Sequence, residues 1–274
     1  LCIFANFALS NLAAGRTSLI VPASWRRQDL DYLASLPKEL QPVTTTCGPA
    51  FLRRLLDDRR FKSLEALHVG GALIDLDLWK EAFQRWPLAS FTHVYGGTEA
   101  EPVACIDAKL AVNESAARGY FQSLCVGSTV ASIQSELRDE GLWVTGPHVC
   151  PSYFGDVPEN KTLKRTDEQG RSWHCMGDRI EDLAGLKYFM GRVGQPRSEF
   201  LLEQRCYSAL GTSAAFIKIT GGKALLVGEI NRARWSARKH LLPEIHDWIP
   251  ARIVRDVRHR ARIDRLATLR SAGI

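Results

Sequence analysis

Apolar and polar positions along the chain change period from one stretch to the next, and the changes mark out its elements. "TSLIVP" (17–22) reads as a buried strand closed by Pro22. "PAFLRRLLDD" (49–58) reads as a helix, because Pro49 suits a first helical position and Phe51, Leu52, Leu55 and Leu56 share one face. "LEALHV" (64–69) is a strand that runs into Gly70-Gly71. "DLDLWKEAFQRW" (75–86) places Leu76, Trp79, Phe83 and Trp86 at spacings of three, four and three, which is helical. "SFTHVY" (90–95) is the next strand. Strand and helix alternate, so the first part predicts an α/β layer. In such layers ligands sit outside the carboxyl ends of the strands, where the glycine pairs 70–71 and 96–97 both fall.

After about residue 105 the period becomes two. In "ASIQSELRDEGLWVTGP", Ile133, Ser135 and Leu137 alternate with Gln134, Glu136 and Arg138, and "RDEG" (138–141) supplies a turn. Antiparallel β structure is expected from about 106 to 191. "AFIKITGGKALLVGE" is a hairpin turning at Gly221-Gly222. Helices are expected at 231–249 and 257–271. The opening "LCIFANFAL" reads as a buried helix or strand; it has neither the basic leader nor the cleavage site of a signal peptide. An apolar run that begins at Leu1 rather than Met predicts an N-terminally incomplete fold.

A length of 274 residues allows one large or two medium domains. No run of 18 apolar residues occurs, so no membrane span is expected. The seven cysteines are odd in number and include no Cys-x-x-Cys pair. That argues against a zinc site or a disulfide framework and for reduced thiols in a cytoplasmic protein. Residues 231–274 carry eleven Lys/Arg against four Asp/Glu, so the net charge of +6 lies in the C-terminal part. Such a tail is either a solvated basic face or a surface for an acidic partner, such as a carrier protein. A nucleic-acid module is disfavoured, because the basic tail interleaves no aromatics beyond Trp235 and Trp248.

The densest chemistry lies in "HVYGGTEAEPVA" (93–104), where a tyrosine, two glycines, a threonine and a glutamate follow a strand. "YGGTEAEPVA" resembles the Tyr-Gly-x-Thr-Glu loop of the adenylate-forming superfamily of acyl- and aryl-CoA synthetases, peptide-synthetase adenylation domains and luciferases. Its Pro and Val are most similar to those of the β-lactone synthetases of bacterial olefin synthesis and related long-chain acyl ligases. "GLWVTGPHVCPSYFGDVPENK" (141–161) and "WHCMGDRIEDLAGLKYFMGRV" (173–193) resemble the family segments that follow, in order and spacing. Upstream, "FANFALSNLAAGRTSLIVP" (4–22) and "TTTCGPAF" (44–51) resemble segments lining the family's acyl pocket.

The resemblance implies an α/β adenylate-forming fold. Residues 1–105 would complete a sheet-and-helix subdomain, 106–192 a β-rich subdomain and 193–274 a reduced α+β C-terminal domain. It implies ATP and AMP as nucleotides, Mg²⁺, a carboxylic acid substrate, and a thiol acceptor on CoA or a phosphopantetheine carrier. Gly96 and Gly97 would let the backbone approach the nucleotide, because glycine has no Cβ. Thr98 would donate to the α-phosphate, and Glu99 would hold Mg²⁺, which prefers oxygen ligands. Tyr95 would stack on adenine beside the small wall of Gly70, Gly71 and Ala72. Asp178 would accept from both ribose hydroxyls, with Arg192 near the ribose at the hinge.

Three departures accompany the resemblance. The family's Gly-rich Ser/Thr loop, which cradles the β- and γ-phosphates, has no counterpart in these residues. "DVRHRARIDRLATL" (256–269) puts Arg262 at the position of the family's catalytic lysine, and Arg and Lys differ in geometry. The hinge segment between Arg192 and Leu201 is several residues short. These departures leave two alternatives to a working ligase: an AMP-binding pseudoenzyme, or a half-enzyme completed by a separate N-terminal chain.

Overall fold

The computed structural model describes residues 1–2, 5–20, 26–58, 60–139, 141–256 and 262–274. In chain order the elements are α1 (Ala5–Ala13), α2 (Arg27–Ser35), β1 (Thr44–Cys47), α3 (Pro49–Asp57), β2 (Ala66–Gly70), α4 (Leu76–Arg85), β3 (Ser90–Gly97), β4 (Ala100–Asp107) and α5 (Ala108–Ala117). There follow β5 (Cys125–Thr129), β6 (Gln134–Arg138), β7 (Gly141–Thr145), α6 (Glu159–Thr162), β8 (Lys164–Thr166), β9 (Ser172–Cys175), β10 (Asp178–Leu183) and β11 (Leu186–Arg192). The last are α7 (Arg197–Leu210), β12 (Ala215–Thr220), β13 (Lys223–Gly228), α8 (Arg232–Arg238), β14 (Ile245–Pro250) and α9 (Arg265–Ser271).

Among the described residues the strands form three sheets. The largest has the order β1-β2-β3-β4-β5-β11-β10. Its first three strands are parallel and the rest antiparallel. The helical face of α4 predicted from Leu76, Trp79 and Phe83 is the one that packs. Trp79 is fully buried, stacks on Phe83 at 5.8 Å and meets Phe91 of β3 edge-on at 6.2 Å. Phe51, Leu52 and Leu55 of α3 join the same core, each Leu or Phe contributing about 1.5–3 kcal/mol relative to exposure. Because β1, β2 and β3 run parallel, their carboxyl ends and the starts of α3 and α4 gather at one edge. A four-stranded antiparallel sheet, β6-β7-β9-β8, and a three-stranded sheet, β12-β13-β14, complete the chain.

The mixed α/β architecture agrees with the expectation from the sequence, and several local readings change. Residues 17–20 of the expected strand 17–22 make only an isolated bridge, Ile20 to Cys2, and 21–22 lie outside the described residues. The expected β run from 106 is interrupted by α5. Its N-cap, Asp107, accepts from the backbone N–H groups of Lys109 and Leu110, which satisfies helix donors that a strand would have paired differently. The expected helix 231–249 ends early: α8 stops at Arg238, and Ile245–Pro250 is a strand parallel to β13. Of the expected helix 257–271, residues 265–271 are helical and 257–261 lie outside the described residues. No described helix is long and apolar enough to cross a membrane.

Candidate functional site

A cavity of about 640 Å³ opens at the carboxyl ends of β2 and β3 and is closed on its far side by α7, β12 and the segment before α9. β3 delivers its contents by alternation. Phe91, His93 and Tyr95 point to the buried side, and His93 and Tyr95 line the cavity. The Tyr95 hydroxyl donates to Asp178 Oδ2 at 2.7 Å. Arg192 Nη1 donates to Asp178 Oδ1 and, at 3.0 Å, to the Met176 carbonyl. Asp178 opens β10 and Arg192 closes β11, and the two residues are register partners, so the hairpin itself sets this pair. Burial, and then the Asp178 charge, hold the Tyr95 phenol well above its ordinary pKa, so it stays a donor.

Arg262 enters from the other side. Its Nε donates to the Gly71 carbonyl at 3.0 Å, a contact across 191 residues. Its own backbone is pinned to Asp256, which gives an N–H to the Arg262 carbonyl and accepts the Arg262 N–H, both at 2.9 Å. Gly71, Ala72, Tyr95, Gly96, Asp178, Arg192 and Arg262 therefore share one cavity. Gly70 stands behind the lining. A Cβ there would meet the Val94 carbonyl oxygen at 2.4 Å, so its smallness serves the contact of β2 with β3. Gly97 lies at the end of β3, outside the lining, and Thr98 and Glu99 form the two-residue turn between β3 and β4. Thr98 is exposed. The Tyr153 hydroxyl donates to Glu99 Oε1 at 3.0 Å, and burial followed by Glu99 pushes that phenol up to about 12.

The family model described as "AMP-binding enzyme" matches residues 2–154. The chain belongs to the AMP-binding enzyme family. Solved structures of similar fold include IdnL7, with a TM-score of 0.70 at 19% identity over 99% of this chain and 59% of that one. A benzoate CoA ligase from Burkholderia xenovorans LB400 gives 0.68 at 15% identity, covering 94% of this chain and 56% of that one. The o-succinylbenzoate CoA synthetase of Bacillus subtilis, in complex with its acyl-adenylate intermediate, gives 0.67 at 16%, covering 94% and 57%. The chain thus spans less than two thirds of each of these proteins. No curated protein sequence matches it.

In this family member the far wall of the cavity is polar, and sequence reasoning missed it. Glu203 of α7 is almost fully buried and takes a bidentate pair from Arg265 Nη2, at 2.7 and 2.9 Å. The Ile217 N–H at 2.9 Å and Gln195 at 3.2 Å also donate to it. Burial raises its carboxyl to about 7, against the pull of Arg265. Nearby, Asp75 accepts from Gln122 and Ser213, each at 2.9 Å. His93 is pushed down to about 4 by burial and is neutral. A readable sign did exist for Glu203. It falls with Phe200, Tyr207 and Leu210 on one buried stripe of α7, and a carboxylate in an apolar stripe needs a partner.

Proposed function

We propose that the chain binds AMP and acyl-adenylate in this cavity, as part of a carboxylate-activating ligase. The reaction joins a carboxylic acid to ATP, giving acyl-adenylate and pyrophosphate, and then passes the acyl group to a thiol of CoA or of a phosphopantetheine carrier. The observation that carries the reading is the buried Asp178 carboxylate, fixed between Tyr95 and Arg192 at the edge of a parallel β layer. Each Asp178 oxygen has one protein donor from these two side chains and keeps acceptor capacity for a ribose hydroxyl. Tyr95 offers its ring to adenine beside Gly71 and Ala72, with Gly96 at the nucleotide and Gly70 and Gly97 behind. Thr98 donates to the α-phosphate. Arg262 supplies positive charge at the α-phosphate, where charge builds as the carboxylate oxygen bonds to the α-phosphorus and pyrophosphate leaves.

The Glu99 region fits Mg²⁺. Its carboxylate accepts the Tyr153 hydroxyl at Oε1, at 3.0 Å, and is an oxygen ligand of the kind Mg²⁺ prefers. That suits an ion that takes one or two protein carboxylates and fills the rest of its shell with phosphates and water. Bound there, Mg²⁺ would neutralise phosphate charge. In the same reading residues 1–105, 106–192 and 193–274 are the three working units, the site is cytoplasmic, and the acyl branch of the family is the nearest in motif. The basic C-terminal part faces an acidic carrier.

Calorimetric titration with a non-hydrolysable acyl-adenylate analogue tests the reading. Asp178→Ala is expected to weaken binding by about tenfold or more, the loss of bonds to a charged acceptor. Unchanged binding would remove the ribose assignment. A second reading, an AMP-binding protein impaired in adenylation, is favoured by Arg262 at the position of the family's lysine. Carboxylate-dependent pyrophosphate release by the purified chain, abolished in Glu99→Gln, would refute that alternative.

A further inference from the structure

Two arginines near the start of α9 face opposite ways. Arg262 donates to the Gly71 carbonyl, in the loop between β2 and α4. Arg265 turns to α7, where Nη1 donates to Glu199 Oε1 at 3.0 Å and Nη2 to both oxygens of Glu203, at 2.7 and 2.9 Å. Its guanidinium also lies over the Phe216 ring, 5.3 Å from the centroid. Side chains at i and i+4 share a helix face, so Glu199 and Glu203 form a paired seat on α7. A planar fork that spans both carboxylates is held in one orientation, because all its donors leave from the same plane.

The main chain around the two arginines is fixed as well. Residues 254–256 pair antiparallel with 262–264. The Asp264 N–H donates to the Val254 carbonyl at 2.9 Å, Arg255 bridges Ile263, and the Asp256 N–H donates to the Arg262 carbonyl at 2.9 Å. Thr268, fully buried in α9, closes the base of this ladder. Its hydroxyl donates to the Asp264 carbonyl at 2.7 Å and accepts the Val254 N–H at 3.0 Å. The Asp264 side chain caps α9 by accepting the Ala267 N–H at 2.8 Å. Arg262 therefore stands at the far end of a ladder whose near end Arg265 fastens to α7.

The seat on α7 is itself tied to the Asp178 end of the cavity. The Gln195 N–H donates to the Arg192 carbonyl at 3.0 Å, and the Gln195 side chain donates to Glu199 at 3.3 Å and to Glu203 at 3.2 Å. Phe200 of α7 meets Phe189 of β11 edge-on at 5.6 Å. One line of contacts thus runs from Asp178 and Arg192 through Gln195, Glu203 and Arg265 to Arg262. We propose that Arg265 is a positioning residue. Through its fork on Glu199 and Glu203 it sets where Arg262 stands relative to the Asp178–Arg192 pair, and so delivers the Arg262 charge to the phosphate of a bound nucleotide. The placement stands on these contacts; only its use on a phosphate rests on the nucleotide reading.

Two readouts test the proposal. Amide hydrogen exchange followed by NMR reads the placement without any ligand. In Arg265→Gln the amides of Asp256, Arg262 and Asp264 should exchange about fivefold faster or more, while those of β13 keep their protection. Calorimetric titration with the non-hydrolysable acyl-adenylate analogue reads the use. Arg265→Gln should weaken binding by about threefold to tenfold, and Arg265→Lys by less, since the charge is kept. The double variant Arg262→Gln/Arg265→Gln should bind within about twofold of Arg262→Gln alone. A residue that only stabilises the fold, or one that touches the ligand itself, would not show that non-additivity. Removing one partner of a buried pair can prevent folding. If Arg265→Gln does not fold, Glu199→Gln, which leaves the Glu203 pair in place, carries the same readouts. Unchanged exchange at Arg262, or analogue losses that add in full, overturns the proposal. If the wild type does not bind the analogue, the nucleotide reading fails, and the exchange result alone upholds or overturns the placement.

Discussion

Glu203 should give the chain a pH-dependent stability that a single substitution removes. Its carboxyl is buried and raised to about 7 from 4.5, with burial the largest cause and Arg265 opposing it. The charged and titratable groups around it are Arg265, Glu199, Tyr207 and Cys206. The folded chain thus holds this proton more tightly than the unfolded chain does. The resulting stabilisation is complete below about pH 4.5 and is lost as pH rises through about 7. Two and a half pH units at ~1.36 kcal/mol each set an upper limit of about 3 kcal/mol, of which about 2.5 kcal/mol falls between pH 5 and pH 8. Glu203→Gln keeps the shape and cannot titrate. Urea unfolding of both proteins at pH 5 and pH 8 reads the effect. The stability of the wild type relative to the variant should fall by about 2.5 kcal/mol from the lower to the higher pH, roughly 5–10 °C in Tm. His93 acts in the opposite sense, since burial lowers its pKa to about 4 and its contribution is lost on acidification. It is present in both proteins and cancels in the difference. Parallel pH profiles for the two proteins would refute the reasoning and would mean that Glu203 is solvated or permanently ionised.

Two further outcomes follow from contacts in the same region. Gly70→Ala should destabilise by at least about 1–3 kcal/mol, because its Cβ would lie 2.4 Å from a backbone oxygen of β3. Gly48→Ala, whose nearest neighbour would be at an ordinary 3.6 Å, should stay within about 0.5 kcal/mol; equal melting temperatures for the two variants would contradict the β2 to β3 packing. Arg262→Ala should weaken binding of the acyl-adenylate analogue by about tenfold, and Arg262→Lys by less, because charge is kept while the fork is lost. If neither changes, Arg262 is not at the nucleotide, and the basic C-terminal part is better explained as a docking surface.

The sequence was most legible where one element carried its own period. α3, α4, β2 and β3 lie within a residue or two of their expected bounds, because each has an apolar face set by local spacing. The hairpin at Gly221-Gly222 was equally local: both glycines adopt positive φ, 55° and 73°, as the tight turn requires. α5 was missed because "DAKLAVNESAARG" lies just after a strand and its helical signal is the Asp107 cap rather than a strong apolar stripe. β14 was missed because its apolar residues could equally continue a helix. Pairing with β13, a tertiary event, decides the matter.

The candidate site divides along the same line. Tyr95, Gly96, Gly71, Ala72, Asp178 and Arg192 could be named from motifs, since each motif is a contiguous run. Their convergence could not, because it depends on the β10 to β11 register and on a hydrogen bond from Tyr95 to a residue 83 positions away. The far wall is less accessible still. Glu203 meets Arg265 across 62 residues, Asp75 meets Ser213 across 138, and Gly71 meets Arg262 across 191. In each pair one partner alone looks like a surface charge, a loop polar residue or a turn. Only closure of the C-terminal part against the first sheet turns them into a lining. That closure joins polar and ionic pairs to apolar contacts such as Phe200 on Phe189 at 5.6 Å and Phe121 on Tyr207 at 6.3 Å, and the polar pairs have no hydrophobic period to announce them. It follows that the pH at which Glu203 gains its proton is also the pH at which the Arg265 side of the cavity changes charge. The stability measurement therefore probes the wall of the site and not merely the core.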